Sequence, residues 1–363
     1  MNKTKKLLLA ACLLFASGAI LYLLALAFGS RVTGVSLDNT GLHVHSPQIS
    51  GGQYNNTYKE ETLSLEEFSS LEIDVNFADV TIETSGDLGF GLSYRMADTS
   101  VLTHEIRDGR LKVVQTSKNG VHFGTNITLF GGFDYFENDT VQNELTIYLP
   151  SGTQLSDFSA TCGSTDFTAS GLYADHMKLK LNFGNVDLRD LKSVDCSIDL
   201  DSADLTLTDG QFTSLDLSDN FGTVKITGIS AAQPSVIDVD SSDVTINDAE
   251  FADLEFSSSF GSLTGNNVTV KHLRSIMDSG DADLKYLTCD SLYMKSAFGS
   301  IDLLFTKPLK DYSYSLSTQF GKIRVDGKDL GTAYRPLFEE ETESLIEIKC
   351  DSGDITIDSP EDK

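Results

Sequence analysis

Basic residues are scarce in this chain of 363 residues: 27 Lys and Arg stand against 54 Asp and Glu, a net charge of -27. A surface with so few cations cannot grip polyanions, so nucleic acid and anionic lipid headgroups are poor partners. Cations, basic peptides and neutral glycans are left as candidates. Cysteine is also sparse, at five. Cys162, Cys196, Cys289 and Cys350 form no C-x-x-C pair and no short-loop framework, so they read as small apolar residues in a packed core rather than as staples. The six histidines (His43, His45, His104, His122, His176, His272) have no spacing that argues for a Ser/His/Asp or Cys/His constellation. His43 and His45 share one face of a strand, but a transition-metal site wants three or four ligands.

Long apolar runs are lacking too, with one exception. Lys3, Lys5 and Lys6 precede an uninterrupted apolar stretch over residues 7–28, about the 20 residues that cross a bilayer as helix. The basic flank places residues 1–6 in the cytoplasm and the rest outside it, as a single-pass protein of the cell membrane. A cleaved signal and acylation at Cys12 are the rival readings. Both fit less well, because a signal's apolar core runs about 7–15 residues.

Residues 29–60 show no strong periodicity and read as a juxtamembrane spacer. From Phe68 onward apolar and polar residues alternate: Leu71, Ile73, Val75 and Phe77, then Val80 and Ile82 after a one-residue shift. This is the pattern of two half-buried strands joined at a corner. The pattern recurs as Asn-Phe183-Gly184-Asn-Val186, Asp-Ser202-Ala203-Asp-Leu205, Asn-Phe221-Gly222-Thr-Val224, Asp-Ser241-Ser242-Asp-Val244, Ser-Phe260-Gly261-Ser-Leu263, Asp-Ser279-Gly280-Asp-Ala282 and Ala-Phe298-Gly299-Ser-Ile301. Between 184 and 299 the small corner residue steps by 19, 19, 20, 19, 19 and 19. A fixed period of this size implies a repeat architecture in which each coil buries its apolar face only against its neighbours. The expected fold is all-β: a β-solenoid of 19–20-residue coils over residues 61–358, preceded by one transmembrane helix.

The corner position reads Phe, Ser, Phe, Ser, Phe, Ser, Phe. Counting by twos from the flanking aliphatics places it on the inward face, large and small side chains alternating so that the corner fills without ring collisions. The repeating unit is then a double coil. A second alternation accompanies the first, since acids flank only the Ser-type corners: Asp201/Asp204, Asp240/Asp243 and Asp278/Asp281. Spacing acid pairs by two coils brings them to about 10 Å, near one Debye length, which weakens their repulsion. These six aspartates are the better calcium candidates, but the Gly-Gly-x-Gly-x-Asp repeat of calcium-binding β-rolls is absent, and a solvated acidic ladder is the simpler expectation.

Two segments break the rhythm. Residues 118–142 carry Phe123, Phe130, Phe133, Tyr135 and Phe136 among Gly and Asn, an aromatic loop expected to cap the end coil and able to serve as an interaction loop. Residues 331–344 bring Glu339, Glu340, Glu341 and Glu343 as an acidic insertion. The charged tail over 359–363 is suited to blunting a terminal strand edge.

The run Leu145-Thr-Ile-Tyr-Leu-Pro150-Ser-Gly152, followed by strand pairs closing on Ser-Gly-Asp-Ile or Phe-Gly-Xaa-Val corners behind an N-terminal anchor, resembles a bacterial family. It is the "putative adhesin" family of membrane-anchored β-strand-repeat domains of unknown function (the DUF4097 type), which includes LiaG-like envelope proteins. The resemblance covers most of residues 60–358. It implies surface exposure in the cell envelope, and its LiaG-like members imply an accessory role in the envelope stress response; the acid ladders would let such an accessory sense or buffer cationic peptides or divalent cations. It carries over no catalytic residue, cofactor or metal. β-Helical lyases and hydrolases are the enzymatic rival, but they need convergent carboxylates in one groove. Here the acids are distributed by the repeat itself.

Overall fold

The computed structural model describes residues 34–38, 41–45, 58–98, 100–117, 143–334 and 345–360. The apolar stretch 7–28, the aromatic loop 118–142, most of the acidic insertion and the last three residues lie outside them. Among the described residues no helix is long and apolar enough to cross a membrane. The chain divides into two units, residues 1–56 with 119–141, and residues 57–118 with 142–363. Of the first, the described part is an antiparallel hairpin, Gly34–Asp38 against Gly41–His45. The strand that carries His43 and His45 pairs through its backbone, and their side chains lie outside the described residues.

The second unit is built on a parallel ladder. Tyr173–Arg189, Lys192–Thr208 and Gln211–Thr227 are each a 17-residue run bent around one coil. Each pairs with the next in register, so that Leu179 faces Ile198 and Ile198 faces Leu217. Alternation along each run sends one set of side chains inward. Three inward columns result, where the sequence pattern implied two strands per coil. One runs through Leu179, Ile198 and Leu217, a second through Val186, Leu205 and Val224, and a third through Leu172, Leu191 and Ile229, all buried. The third was missed because it holds only two or three residues per coil, too few to show a period.

A left-handed turn closes each coil before this third side. Gly152, Gly171, Asp190, Asp209, Gly228, Asp248, Asn267 and Tyr286 all have positive φ, between 49° and 80°. They repeat at the coil period. Gly, Asp and Asn reach this backbone region at low cost, whereas a Tyr is an outlier.

Both ends of the stack depart from chain order. Ser70–Val75 lies between Arg110–Ser117 and Gln154–Ser164, so the first coil is covered by a later one. Antiparallel strands finish that end: Gly91–Ala97 sits between Glu144–Pro150 and Tyr58–Ser64, and Ser100–Arg107 pairs Arg110–Ser117. At the other end Leu345–Ser352 slots between Ala282–Phe298 and Ser313–Phe320, and Ile355–Asp358 between Ile301–Phe305 and Ile323–Val325. The C-terminal strands are therefore an interior layer. The outermost layer is instead Ser313–Phe320, which pairs antiparallel to Ala333–Tyr334; the charged residues 361–363, expected to blunt a terminal edge, lie outside the described residues. About a dozen layers at about 4.8 Å make a rod roughly 50 Å long.

The corner glycines are fixed by the stacking distance. A Cβ on Gly299 would lie 2.0 Å from the Gly280 carbonyl oxygen, and Gly299 has φ +129°. Gly299→Ala should therefore cost about 2 kcal/mol or more in chemical denaturation, whereas Gly86→Ala, in open space, should change stability by less than about 0.5 kcal/mol. Equal effects of the two would remove the stacking argument. Tyr286→Gly should stabilise the fold by about 1 kcal/mol by relieving its left-handed backbone.

Candidate functional site: an aromatic edge

The corner phenylalanines do not point inward. Phe77, Phe183, Phe221, Phe260, Phe298 and Phe320 are between 49% and 76% exposed. Counting by twos fails because Leu181 and Val186 are both buried although five positions apart. A bend at the corner absorbs the extra residue. At Gly184, Gly261 and Gly299 that bend uses φ of +133°, +141° and +129°, conformations open to glycine. The side chain just before the corner residue is turned to solvent, also at Phe77, Phe221 and Phe320, where the residue that follows does not have positive φ. The large-and-small packing expected at the corner does occur, but in an inward column beside it: Phe256, Ser275 and Met294 are stacked neighbours, as are Ser258, Met277 and Ser296.

The alternation is nevertheless maintained on the outside along the whole edge. Ser164 neighbours Phe183, Phe183 neighbours Ser202, Phe221 neighbours Ser241, Phe260 neighbours Ser279, and Ser279 neighbours Phe298. At the reordered end Ser352 stands between Phe298 and Phe320. Chain order would have put Phe320 directly on Phe298. The insertion of the last coil keeps the rings two layers apart, about 9.6 Å.

The acids recur at every second layer, and the second member of each pair has a structural task. Asp204 Oδ1 accepts from the Thr223 amide at 2.8 Å, Asp243 from Ser262 at 2.9 Å, and Asp281 from Ser300 at 2.7 Å. Asp166 and Asp354 do the same for Asn185 and Lys322. Each carboxylate thus holds an amide that the next layer's corner bend has freed from the ladder. The Ser262 hydroxyl and amide lower the Asp243 pKa. The first members are turned outward: Asp201 accepts from the Asn220 amide group at 2.9 Å, and Asp240 and Asp278 are exposed. Among the described residues no group of three or more His, Cys, Asp or Glu side chains converges to hold a metal ion.

The coil period also stacks histidines, which spacing alone did not reveal. Asp253, His272 and Ser291 are in-register neighbours. His272 Nδ1 lies 2.8 Å from Ser291 Oγ, while His272 Nε2 is 4.0 Å from Asp253 Oδ1, beyond hydrogen-bonding reach. This trio lies on an open strand face whose amides are committed to the parallel ladder, so none is offered to a developing oxyanion. In a second group Asp195 stands between His176, at 3.0 Å, and Ser214, at 3.2 Å. The histidine there does not touch the hydroxyl. The four described cysteines are buried and free, and burial pushes Cys162, Cys196 and Cys289 up to about 12.

A Toastrack DUF4097 family model matches residues 68–236 and 235–358. The chain belongs to this family. No curated protein matches it. Among solved structures, the chain is similar to a "putative adhesin" from Parabacteroides merdae, at 16% identity over 69% of this chain and 97% of the other, with a TM-score of 0.46. A "putative lipid binding protein" from Parabacteroides distasonis is 12% identical over 85% and 98%, with a TM-score of 0.44. A "putative adhesin" from Bacteroides fragilis is 13% identical over 84% and 97%, with a TM-score of 0.34.

One buried carboxyl underlies the edge of this Toastrack rod. Asp219 is 1% exposed, at the inward position that Leu200 fills one layer away. Burial raises its pKa, against the lowering effect of the Ser242 hydroxyl at 2.6 Å and the Phe221 amide. Its Oδ1 has no hydrogen-bond partner among the described residues. With the folded pKa above the unfolded one, its favourable contribution is full below the unfolded carboxyl value of about 4 and is lost as pH rises through the folded value. Asp219→Asn should therefore melt above wild type at pH 7, with the gap closing by pH 4. A gap independent of pH would show that the carboxyl's ionisation is not responsible.

Proposed function

We propose that this Toastrack protein is a membrane-anchored, surface-exposed interaction module of the bacterial cell envelope, and that its working surface is the phenylalanine edge. The supporting observation is that the rod displays large apolar side chains in register at intervals of two layers, although burying them would be favourable by roughly 1.5–3 kcal/mol each. Exposed apolar groups arranged in this way mark recognition surfaces. The Lys-flanked stretch over residues 7–28 supplies the anchor, with the rod outside the cytoplasm. The role is one of binding rather than turnover, since the stacked Asp253, His272 and Ser291 lack both a closed relay and an oxyanion site. The names of the adhesin neighbours agree with this reading.

A second reading follows from the charge. With a net -27, the outward acids Asp240 and Asp278 would also attract cationic peptides or divalent cations, as in an accessory of the envelope stress response. Calcium fits this reading less well than a peptide does, because Asp204, Asp243 and Asp281 already each spend an oxygen on an amide.

Protease shaving of intact cells tests the proposal. The rod's epitopes should be removed from outside while the protein fractionates with membranes. Full protection in intact cells and loss on lysis would place the rod inside and end the surface reading.

A further inference from the structure

Two further surfaces fall short. The Asp253–His272–Ser291 stack has no oxyanion donors, and the inward polar position at Asp219 is buried between Leu200 and Val239. The phenylalanine edge carries more, because its spacing and its charge together restrict what can lie along it. Along the middle of the rod the edge reads Phe221, Ser241 with Asp240, Phe260, Ser279 with Asp278, and Phe298. Rings recur at about 9.6 Å along the rod, and the exposed Asp240 and Asp278 belong to the layers between them.

A polypeptide that touched every ring would have to present one side chain per 9.6 Å on a single face. A β-strand advances about 9.9 Å in three residues, but residues i and i+3 then point to opposite faces, so alternate rings are missed. An α-helix repeats a face at about 5.4 Å per turn and drifts out of step with 4.8 Å layers by several ångströms along the edge. A polyproline II helix has three residues per turn and about 3.1 Å rise, so every third residue returns to the same face after about 9.3 Å. It is also the conformation that aromatic-lined surfaces recognise by packing against proline rings. Between ring contacts, the two intervening residues of this helix stand about 3.1 and 6.2 Å along it, on either side of the carboxylate layer at about 4.8 Å, so that a Lys or Arg side chain there would pair with Asp240 or Asp278. A second copy of the chain is disfavoured, since its own acids would be pressed against these.

We propose that the phenylalanine edge docks an extended, cationic, proline-rich segment in the polyproline II conformation, three ligand residues per ring-to-ring step. This rests on the interaction-module reading and names its partner chemistry.

The test uses the full chain in nanodiscs of zwitterionic lipid and a fluorescein-labelled 12-residue probe, (Pro-Arg-Pro)4, read by anisotropy. The charge-matched (Ala-Arg-Ala)4 is the conformational control. The expected result is at least tenfold tighter binding of the proline probe, lost in a Phe221→Ser/Phe260→Ser/Phe298→Ser variant. That variant installs the residue which alternate corners already carry, so its melting temperature should stay near wild type. Asp240→Asn/Asp278→Asn should weaken binding and flatten its salt dependence. Equal affinity for the two probes, or a proline probe indifferent to the three phenylalanines, overturns the proposal by reducing it to bulk charge. Binding of a neutral chito-oligosaccharide at the same phenylalanines, with no peptide binding, overturns the peptide assignment while leaving the interaction module standing. Dimerisation in sedimentation, abolished by the triple variant, would assign the edge to a second copy instead. Surface exposure is settled separately by protease shaving, so failure of this test and failure of the surface reading are distinguishable.

Discussion

Everything in this rod depends on in-register parallel pairing at a fixed coil length. Once Leu179 is hydrogen-bonded in line with Ile198, and Ile198 with Leu217, every other position in the coil is stacked on its equivalent. A preference that is weak in one coil becomes a column. The left-handed turn residues, the apolar columns, the corner glycines and the corner phenylalanines are each such a column. None could shift without the rest, because a one-residue slip would turn the buried face outward.

The same rule explains the chemistry at the surface. Stacking brings like residues to about 4.8 Å, which is favourable for aliphatics and unfavourable for carboxylates. The two-layer alternation resolves this by placing acids against neutral partners such as Asn220, Ser262 and Ser300. It also gives one acid of each pair a backbone amide to hold. Asp219 is the exception, an acid in an inward column where its neighbours are aliphatic. Its partners are the Ser242 hydroxyl and the Phe221 amide, which ties the interior of the rod to the corner that displays a ring.

Much of this was legible in the sequence. The period of 19–20, the all-β stack, the alternation of Phe with Ser and that of neutral with acidic flanks are local regularities that a repeat writes directly into the chain. What was misread depended on three-dimensional closure. The direction of Phe183 and its equivalents could not be counted from Leu181, because parity does not survive a corner that bends and absorbs one residue between two buried positions. The third side of the coil was too short to show a period. The left-handed column at Asp190, Asp209, Asp248 and Asn267 was visible as a recurring Asp or Asn, and reading it needed only the coil period applied to a second position. The neighbours His272 and Ser291 likewise become apparent once 19 is added to 272. The order of layers at the ends was not legible at all, since nothing local distinguishes a coil that is added from one that is inserted.

That insertion limits how the molecule can be assembled. Leu345–Ser352 completes the gap between Ala282–Phe298 and Ser313–Phe320, so the stack cannot zip up one coil at a time as the chain emerges. The segment later in the chain locks the far end, and Ser313–Phe320 must wait for it without its parallel neighbour. Closure by an inserted layer also guards that end: the parallel edge of Ala282–Phe298 is covered by Leu345–Ser352, and Ser313–Phe320 outside it meets an antiparallel partner at Leu316 and Ser317 instead of a further parallel coil.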